Sequence, residues 1–267
     1  MKEEEWIVRG GAFKKPSIPL DCNESGTTFR FVTALADVLK ISCEITGKPF
    51  LMQRPQRPDP KISSQYLSGL LLVDPSTAIP KEAVSKPYIF LTMEMKKKFE
   101  KGPTEVTIEG CWSSAAFLIA FGTLIQPIRL EGLNRESLQG DKKIVTILKE
   151  MGADIEWQNK TLVVKPSPLK AVSWDLTDTP DLYPILSVVA RFAKGQCHFR
   201  GIERLRFKES NRFEAMQEIS NAVDSKDHRV IMAAAVWGKA TGQKLKFKYP
   251  EAVAKSWPKF WDVLKKI

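Results

Sequence analysis

Five times along the chain a short polar cluster opens straight into a run of small apolar residues at helical spacing. The clusters are Ser25-Gly26-Thr27-Thr28 before FRFVTALADVL, Ser63-Ser64-Gln65 before YLSGLLLV, Ser113-Ser114 before AAFLIAFGTLI, Pro180-Asp181 before LYPILSVVARF, and Asp227-His228-Arg229 before VIMAAAVWG. Each predicts a helix whose first turn carries the polar residues. Ser, Thr and Asp are ordinary N-caps, so one such start means little. Five of them present free backbone N–H groups and the positive ends of five helix dipoles, an arrangement suited to anions. The runs that follow are apolar almost all round, which implies burial in a layered fold with only the polar ends left to meet solvent or ligand. The pattern reads as a repeated anion-binding scaffold around a shared cleft.

Between these helices the period changes. TEVTIEG (104–110), TLVVK (161–165) and GQCHFRGI (195–202) read as strands, and KKIVTILKEMGA (142–153) as an amphipathic helix stopped at Gly152. A last amphipathic helix, WPKFWDVLKKI, sets Trp257 and Trp261 on one face, and the proline-rich LMQRPQRPDPK (51–61) reads as a loop. The predicted class is α/β (α+β). The expected boundary is Glu109-Gly110, dividing the chain into lobes 1–109 and 110–267.

Charge narrows the partners. Among 267 residues, 41 Lys and Arg face 31 Asp and Glu, a net +10 that favours anions. The basic residues are scattered and match no nucleic-acid-binding pattern, and Lys96-Lys97-Lys98 reads as a solvated face, so small phosphorylated metabolites are the expected ligands and nucleic acid is not. Cys22, Cys43, Cys111 and Cys197 lack CxxC spacing and there are two histidines, so no metal site or disulfide framework is expected. The start MKEEEWIVRGG has no apolar signal core, and the uncharged stretch from Gly110 to Ile128 is too mixed for a membrane span. A soluble, cytoplasmic, monomeric protein is expected.

Ordered segments then carry a resemblance. LDCNESGTTFRF (20–31), QRPQRP (53–58), SSQYLSGLLL (63–72), VSKPYI (84–89), IEGCWSSAAF (108–117), LQGDKKIVTILKEMGA (138–153), TPDLYPILSVVARFAKG (179–195), LRFKESNRFEAM (205–216), KDHRVIMAAA (226–235) and AVAKSWPKFWDVL (252–264) together resemble the 5-enolpyruvylshikimate-3-phosphate synthase (EPSP synthase) family. FKESNR and KDHR are the most specific. The resemblance implies two lobes of repeated βαβαββ units. It also implies transfer of the enolpyruvyl group of phosphoenolpyruvate to the 5-hydroxyl of shikimate 3-phosphate, with release of phosphate, in chorismate and aromatic amino acid biosynthesis. No organic or metal cofactor is implied.

The resemblance carries residue by residue. Ser63, Ser64, Gln65, Ser85, Asp181 and Lys208 match contacts to shikimate 3-phosphate, while Gly26, Arg54, Gln65, Arg212, Arg229 and Lys255 match those to phosphoenolpyruvate. Asp181 matches the proton acceptor for the attacking hydroxyl and Glu209 the donor to the enol methylene. Taken alone, Glu209 and Arg212 would be an i,i+3 surface pair, Asp181 a helix cap, and His228 a capping or packing residue with no proton to transfer.

Departures from the family are as specific as the matches. The Lys-Ser segment with which the family begins is missing, and KKPS (14–17) lies in the wrong place to replace it. QRPQRPDP runs almost directly into KISSQYL, and EISNAV into DSKDHR, where the family inserts a further strand and helix. Cys111 stands for the acidic residue of the EGD version of its segment and Asn211 for the Asp of KESDR. The related UDP-N-acetylglucosamine enolpyruvyltransferases are disfavoured, because their Lys-Asn segment and reactive-loop cysteine have no counterpart here. The alternative function is a catalytically inactive remnant that at most binds phosphorylated ligands.

Overall fold

A computed structural model describes residues 5–100, 102 and 104–267. Residues 1–4, part of the acidic start, lie outside the described residues. The chain divides between Ala83 and Val84 into two compact units. This differs from the 109/110 boundary expected. The segment from Val84 onward is tied into the second unit by hydrogen bonds from Lys86 N to Asp178 Oδ1 at 3.1 Å and from Arg204 Nη2 to Ser85 Oγ at 3.3 Å.

In the first unit, strand β1 (Leu20–Asp21) pairs in parallel with β2 (Ile45–Thr46), and helix α1 (Gly26–Leu39) makes the crossover. Ser25 caps α1 by accepting from Thr28 N at 3.1 Å, and Lys40 ends it in the left-handed conformation, φ +54°. A single turn, α2 (Pro49–Met52), takes the first two residues of the expected loop, since proline suits the first helical position. Helix α3 (Gln65–Val73) then packs on α1. A Cβ on Gly69 would stand 2.7 Å from Ala34 Cβ and 3.1 Å from Phe31 Cα, so glycine is what lets the two helices approach. The unit's buried apolar residues include Cys22, Phe29, Ala34, Leu51, Leu67 and Leu71.

The second unit begins with α4 (Lys86–Phe99) and α5 (Trp112–Leu124), followed by β3 (Ile128–Leu130), α6 (Lys143–Glu150), β4 (Asp154–Gln158) and β5 (Thr161–Lys165). Strands β3, β5 and β4 form an antiparallel sheet in that order, and α5 lies against it, buried nearly all round. After it come β6 (Leu169–Lys170), β7 (Ser173–Asp175), α7 (Tyr183–Ala190), β8 (Ala193–Lys194), β9 (His198–Arg200), α8 (Arg212–Gln217), β10 (Ala222–Val223), α9 (His228–Thr241), β11 (Lys246–Phe247) and α10 (Phe260–Lys266). One continuous core joins Trp112, Phe117 and Phe121 to Ile185, Leu186, Ile231 and Phe260.

The repeat read in the sequence has a structural counterpart. Leu20 pairs with Ile45, Leu169 with Ala193, Ser173 with His198, and Ala222 with Lys246, all parallel and all 24 or 25 residues apart. Each crossover contains one of the predicted helices, α1, α7 or α9.

Other expectations shift. TEVTIEG forms no strand: its one ladder-like bond is Gly110 N to Gly132 O at 2.7 Å, and Ile108 is exposed. β-propensity makes a strand only where another strand supplies hydrogen-bond partners. Helix α5 starts at Trp112, ahead of the serine pair, because Gln139 Oε1 accepts from Trp112 N at 2.9 Å. Pro180–Leu182 is a 3₁₀ turn that runs into α7, and Trp257 precedes α10 instead of lying on it.

Candidate functional site

The second unit gathers its charged residues around one guanidinium. Arg212, the first residue of α8, is 1% exposed and donates from Nη1 to Asp181 Oδ1 at 2.7 Å, from Nη2 to Glu209 Oε2 at 2.6 Å, and from Nε to Asp227 Oδ2 at 2.7 Å. Asp181 also meets Lys208 Nζ at 3.0 Å and Arg229 Nη2 at 3.3 Å, and Glu209 meets Lys255 Nζ at 3.1 Å. Six of the residues singled out in the sequence, Asp181, Lys208, Glu209, Arg212, Arg229 and Lys255, are thus one network. The Glu209–Arg212 pair is i,i+3 but no surface pair: a buried guanidinium that loses a partner costs about 3–5 kcal/mol, against a few tenths for an exposed pair.

Local structure explains the convergence. Asp181 sits in the 3₁₀ turn leading into α7. Asp227 caps α9, its Oδ1 accepting from Arg229 N at 2.9 Å while Oδ2 holds Arg212 and accepts from Ser210 Oγ at 3.2 Å. One carboxylate therefore fixes both the start of a helix and the central cation.

These contacts set the protonation states. Burial would raise the Asp181 carboxyl, but Arg229, Lys208 and Arg212 together hold it well below the usual range. Burial likewise opposes ionisation of Glu209, and Arg212 and then Lys255 outweigh it, so Glu209 is held deprotonated. Burial disfavours the Arg212 charge, yet Asp227, Asp181 and Glu209 push its pKa up. Lys208 is lowered, burial exceeding the attraction of Asp181. His228 is buried and its Nδ1 has no hydrogen-bond partner among the described residues; burial, then Arg229, lowers it to about 4, so it is neutral at pH 7.

Three nearby groups were not singled out in the sequence. Asp141 is fully buried, accepts from Ser113 Oγ at 2.5 Å, and lies 3.8 Å from Arg229 Nη1, with burial raising its pKa. It stands within LQGD, where its neighbours gave no sign of function. Asp227 was visible only as a helix cap, and Arg204 carried no signal at all.

In the first unit a second cationic corner forms at the start of α1. A Cβ on Gly26 would stand 3.3 Å from Arg54 Nη1 and 3.4 Å from Arg30 Nη1, so the missing side chain lets two guanidinium groups close on the helix end. Arg30, 4% exposed, donates to Gln65 Oε1 at 2.5 Å, and Gln65 Nε2 donates to Thr27 Oγ1 at 2.8 Å. Gly26, Arg54 and Gln65 are therefore together. The signal for Arg30 was its position four residues after Gly26, on the same helical face. Ser63 Oγ accepts from Gln65 N at 3.4 Å, and Ser64 is buried at the α3 N-cap. Ser85, at the start of α4, belongs to the second unit and touches Arg204. Among the described residues no group of three or more His, Cys, Asp or Glu is arranged to hold a metal.

Known proteins share both sequence and fold. A sequence model described as EPSP synthase (3-phosphoshikimate 1-carboxyvinyltransferase) matches residues 100–221. The 3-phosphoshikimate 1-carboxyvinyltransferase of Dehalococcoides mccartyi is 29% identical over 345 residues, covering 99% of the chain and 82% of the relative. That of Methanocaldococcus jannaschii is 29% identical over 355 residues, covering 100% and 82%. Both alignments are longer than the 267-residue chain, so the relatives carry segments within the matched stretch that it lacks. Among solved structures, EPSP synthase from Acinetobacter baumannii matches with a TM-score of 0.67 at 18% identity, over 95% of this chain and 79% of that one. The expected α/β fold is that of these enzymes.

Proposed function

We propose that this chain, a member of the EPSP synthase (3-phosphoshikimate 1-carboxyvinyltransferase) family, transfers the enolpyruvyl group of phosphoenolpyruvate to the 5-hydroxyl of shikimate 3-phosphate and releases phosphate, a step of aromatic amino acid biosynthesis. The observation that carries the reading is the pairing of Asp181 and Glu209 on adjacent nitrogens of Arg212. Two carboxylates with different tasks are held within the width of one guanidinium, among further cations that suit an anionic substrate.

In this reading Arg212, Arg229 and Lys255 receive the phosphate and carboxylate of phosphoenolpyruvate, and the family resemblance adds Gly26, Arg54 and Gln65 to the groups that bind it. Ser63, Ser64, Gln65, Ser85 and Lys208 bind shikimate 3-phosphate. Protonating the enol methylene turns its neighbour into a cationic carbon, which the 5-hydroxyl attacks as Asp181 takes its proton; the tetrahedral adduct then loses phosphate as one methyl proton returns to a carboxylate, which restores the methylene double bond.

Electrostatics supply the order of events. Glu209 is ionised while Arg212 and Lys255 stabilise its charge. An incoming trianion engages those cations and adds negative charge, both of which raise the carboxyl's proton affinity. Substrate binding thus draws onto Glu209 the proton that the addition step transfers and the elimination step returns. Asp181, held by Arg229, Lys208 and Arg212, stays ionised and ready to accept.

The same reading has the chain act as a cytoplasmic monomer on small anionic metabolites, without nucleic acid or a membrane as partner. Among the described residues no helix is long and apolar enough to cross a bilayer. The test is phosphate release from the purified chain with both substrates, each omitted in turn. Release that requires both supports the transferase; a folded chain that binds phosphorylated ligands without release would reduce the reading to ancestry.

A further inference from the structure

Ser85 is held in a conformation that the helix after it does not require. Its φ is +54° and ψ +39°, the left-handed region, which costs a non-glycine residue on the order of 1 kcal/mol or more. N-cap serines usually repay their position by accepting from the first turn, and Ser85 makes no such bond. Its hydroxyl oxygen instead accepts from Arg204 Nη2 at 3.3 Å. The same nitrogen donates to the carbonyl of Thr177, and Asp178 Oδ1 accepts from Lys86 N at 3.1 Å. The 177–178 segment therefore holds Lys86 directly and Ser85 through Arg204, and three residues further on the chain reaches Asp181.

A hydroxyl has one proton to give. Because a guanidinium can only donate, Arg204 occupies an acceptor position of Ser85 Oγ and leaves the O–H to point elsewhere; among the described residues it has no acceptor. We infer that Arg204 is a positioning residue that turns Ser85 into an obligatory hydrogen-bond donor toward an oxygen of shikimate 3-phosphate. The inference rests on the reading above that Ser85 contacts this substrate. Arg204 acts through Ser85 and not by its own contact, so its effect belongs to shikimate 3-phosphate and leaves phosphoenolpyruvate alone.

The experiment measures affinity for shikimate 3-phosphate by calorimetry in the full chain, in Ser85→Ala, in Arg204→Gln, and in the double variant, with thermal unfolding of each as a control. A lost hydrogen bond to a charged group predicts that each single change weakens binding on the order of tenfold. The double variant is expected to bind no more weakly than Ser85→Ala, since the guanidinium has nothing left to orient. Where turnover is measured, the KM for shikimate 3-phosphate rises and that for phosphoenolpyruvate does not. Losses that multiply in the double variant, or unchanged binding in Arg204→Gln, overturn the proposal. Should Arg204→Gln fail to fold, Arg204→Lys takes its place in the same cycle, with a smaller loss that again vanishes when combined with Ser85→Ala. An unaltered affinity in Ser85→Ala rejects the contact assigned to Ser85, and absence of binding by the unaltered chain rejects the reading of the site; both sink the inference, and they differ from the outcomes that sink it alone.

Discussion

The network around Arg212 makes demands that single residues can test. Glu209→Gln and Asp181→Asn remove the groups assigned to give and take protons while keeping the size of each side chain, so each is expected to abolish phosphate release in a chain that remains folded; full activity in either variant would withdraw that residue's role. If Glu209 gains its proton with the substrate, mixing with phosphoenolpyruvate in weak buffer near pH 7 takes up protons, and Glu209→Gln takes up fewer. His228 governs stability in a separate window. Its folded pKa, about 4, lies below the ordinary 6.5, so the unfolded chain protonates first as the pH falls and stability declines from about 6.5 down to about 4. The decline amounts to roughly 3 kcal/mol. Asp181 and Glu209, whose values are lowered, begin to lose their contributions only as the pH falls to the ordinary carboxylate values of 3.8 and 4.5, at the acid edge of this window, while Asp141, raised by burial, opposes the trend. Urea unfolding at pH 7 and pH 4.5 is therefore compared between the parent and His228→Gln, the variant showing the smaller fall.

Helices show what the sequence made readable. Polar starts at Ser25 and Asp227 became N-caps because a capping side chain acts on its own first turn, a relation contained in four consecutive residues. The strand read at 104–110 failed because pairing depends on a partner distant in sequence, and among the described residues that segment's one backbone-to-backbone bond is the one from Gly110. The site divides in the same way: Asp181, Glu209 and Arg212 lie in short recognisable segments, whereas the roles of Asp141 and Arg204 follow from neighbours 88 and 119 residues away, Arg229 and Ser85. Close packing of α1 on α3 gives a test at this scale. Gly69→Ala places a methyl against Ala34 and the backbone of Phe31, where no flexible side chain can yield, and is expected to destabilise the first unit by about 1–3 kcal/mol. Chemical unfolding monitored in that unit checks the value.

Across the whole molecule the two units are unequal. The first buries a short set that includes Cys22, Phe29, Ala34, Leu51, Leu67 and Leu71, while the second has an extended core running from Trp112 to Leu264. Local opening is easiest where few apolar side chains are buried. Amides of α1 and α3 are therefore expected to exchange with deuterium faster than those of α5 and α9, and ligand binding at the Gly26 corner to slow the former; equal protection in the free chain would contradict this. The net charge of +10 adds that affinity for the anionic substrates falls as salt is raised.

The 24 or 25 residues between parallel partners also bear on how such a chain changes over time. Each crossover closes a loop of nearly the same size and so, formed alone, meets nearly the same entropic cost; the two that share α7 overlap, and closing one shortens the search for the other. Loss of a piece shorter than a crossover breaks a strand pair and throws its helix out of register. Loss of a whole crossover removes a strand pair together with its helix and lets the flanking chain rejoin. Chains of this architecture can therefore differ in length by a whole crossover and keep the strand pairs that lie outside it.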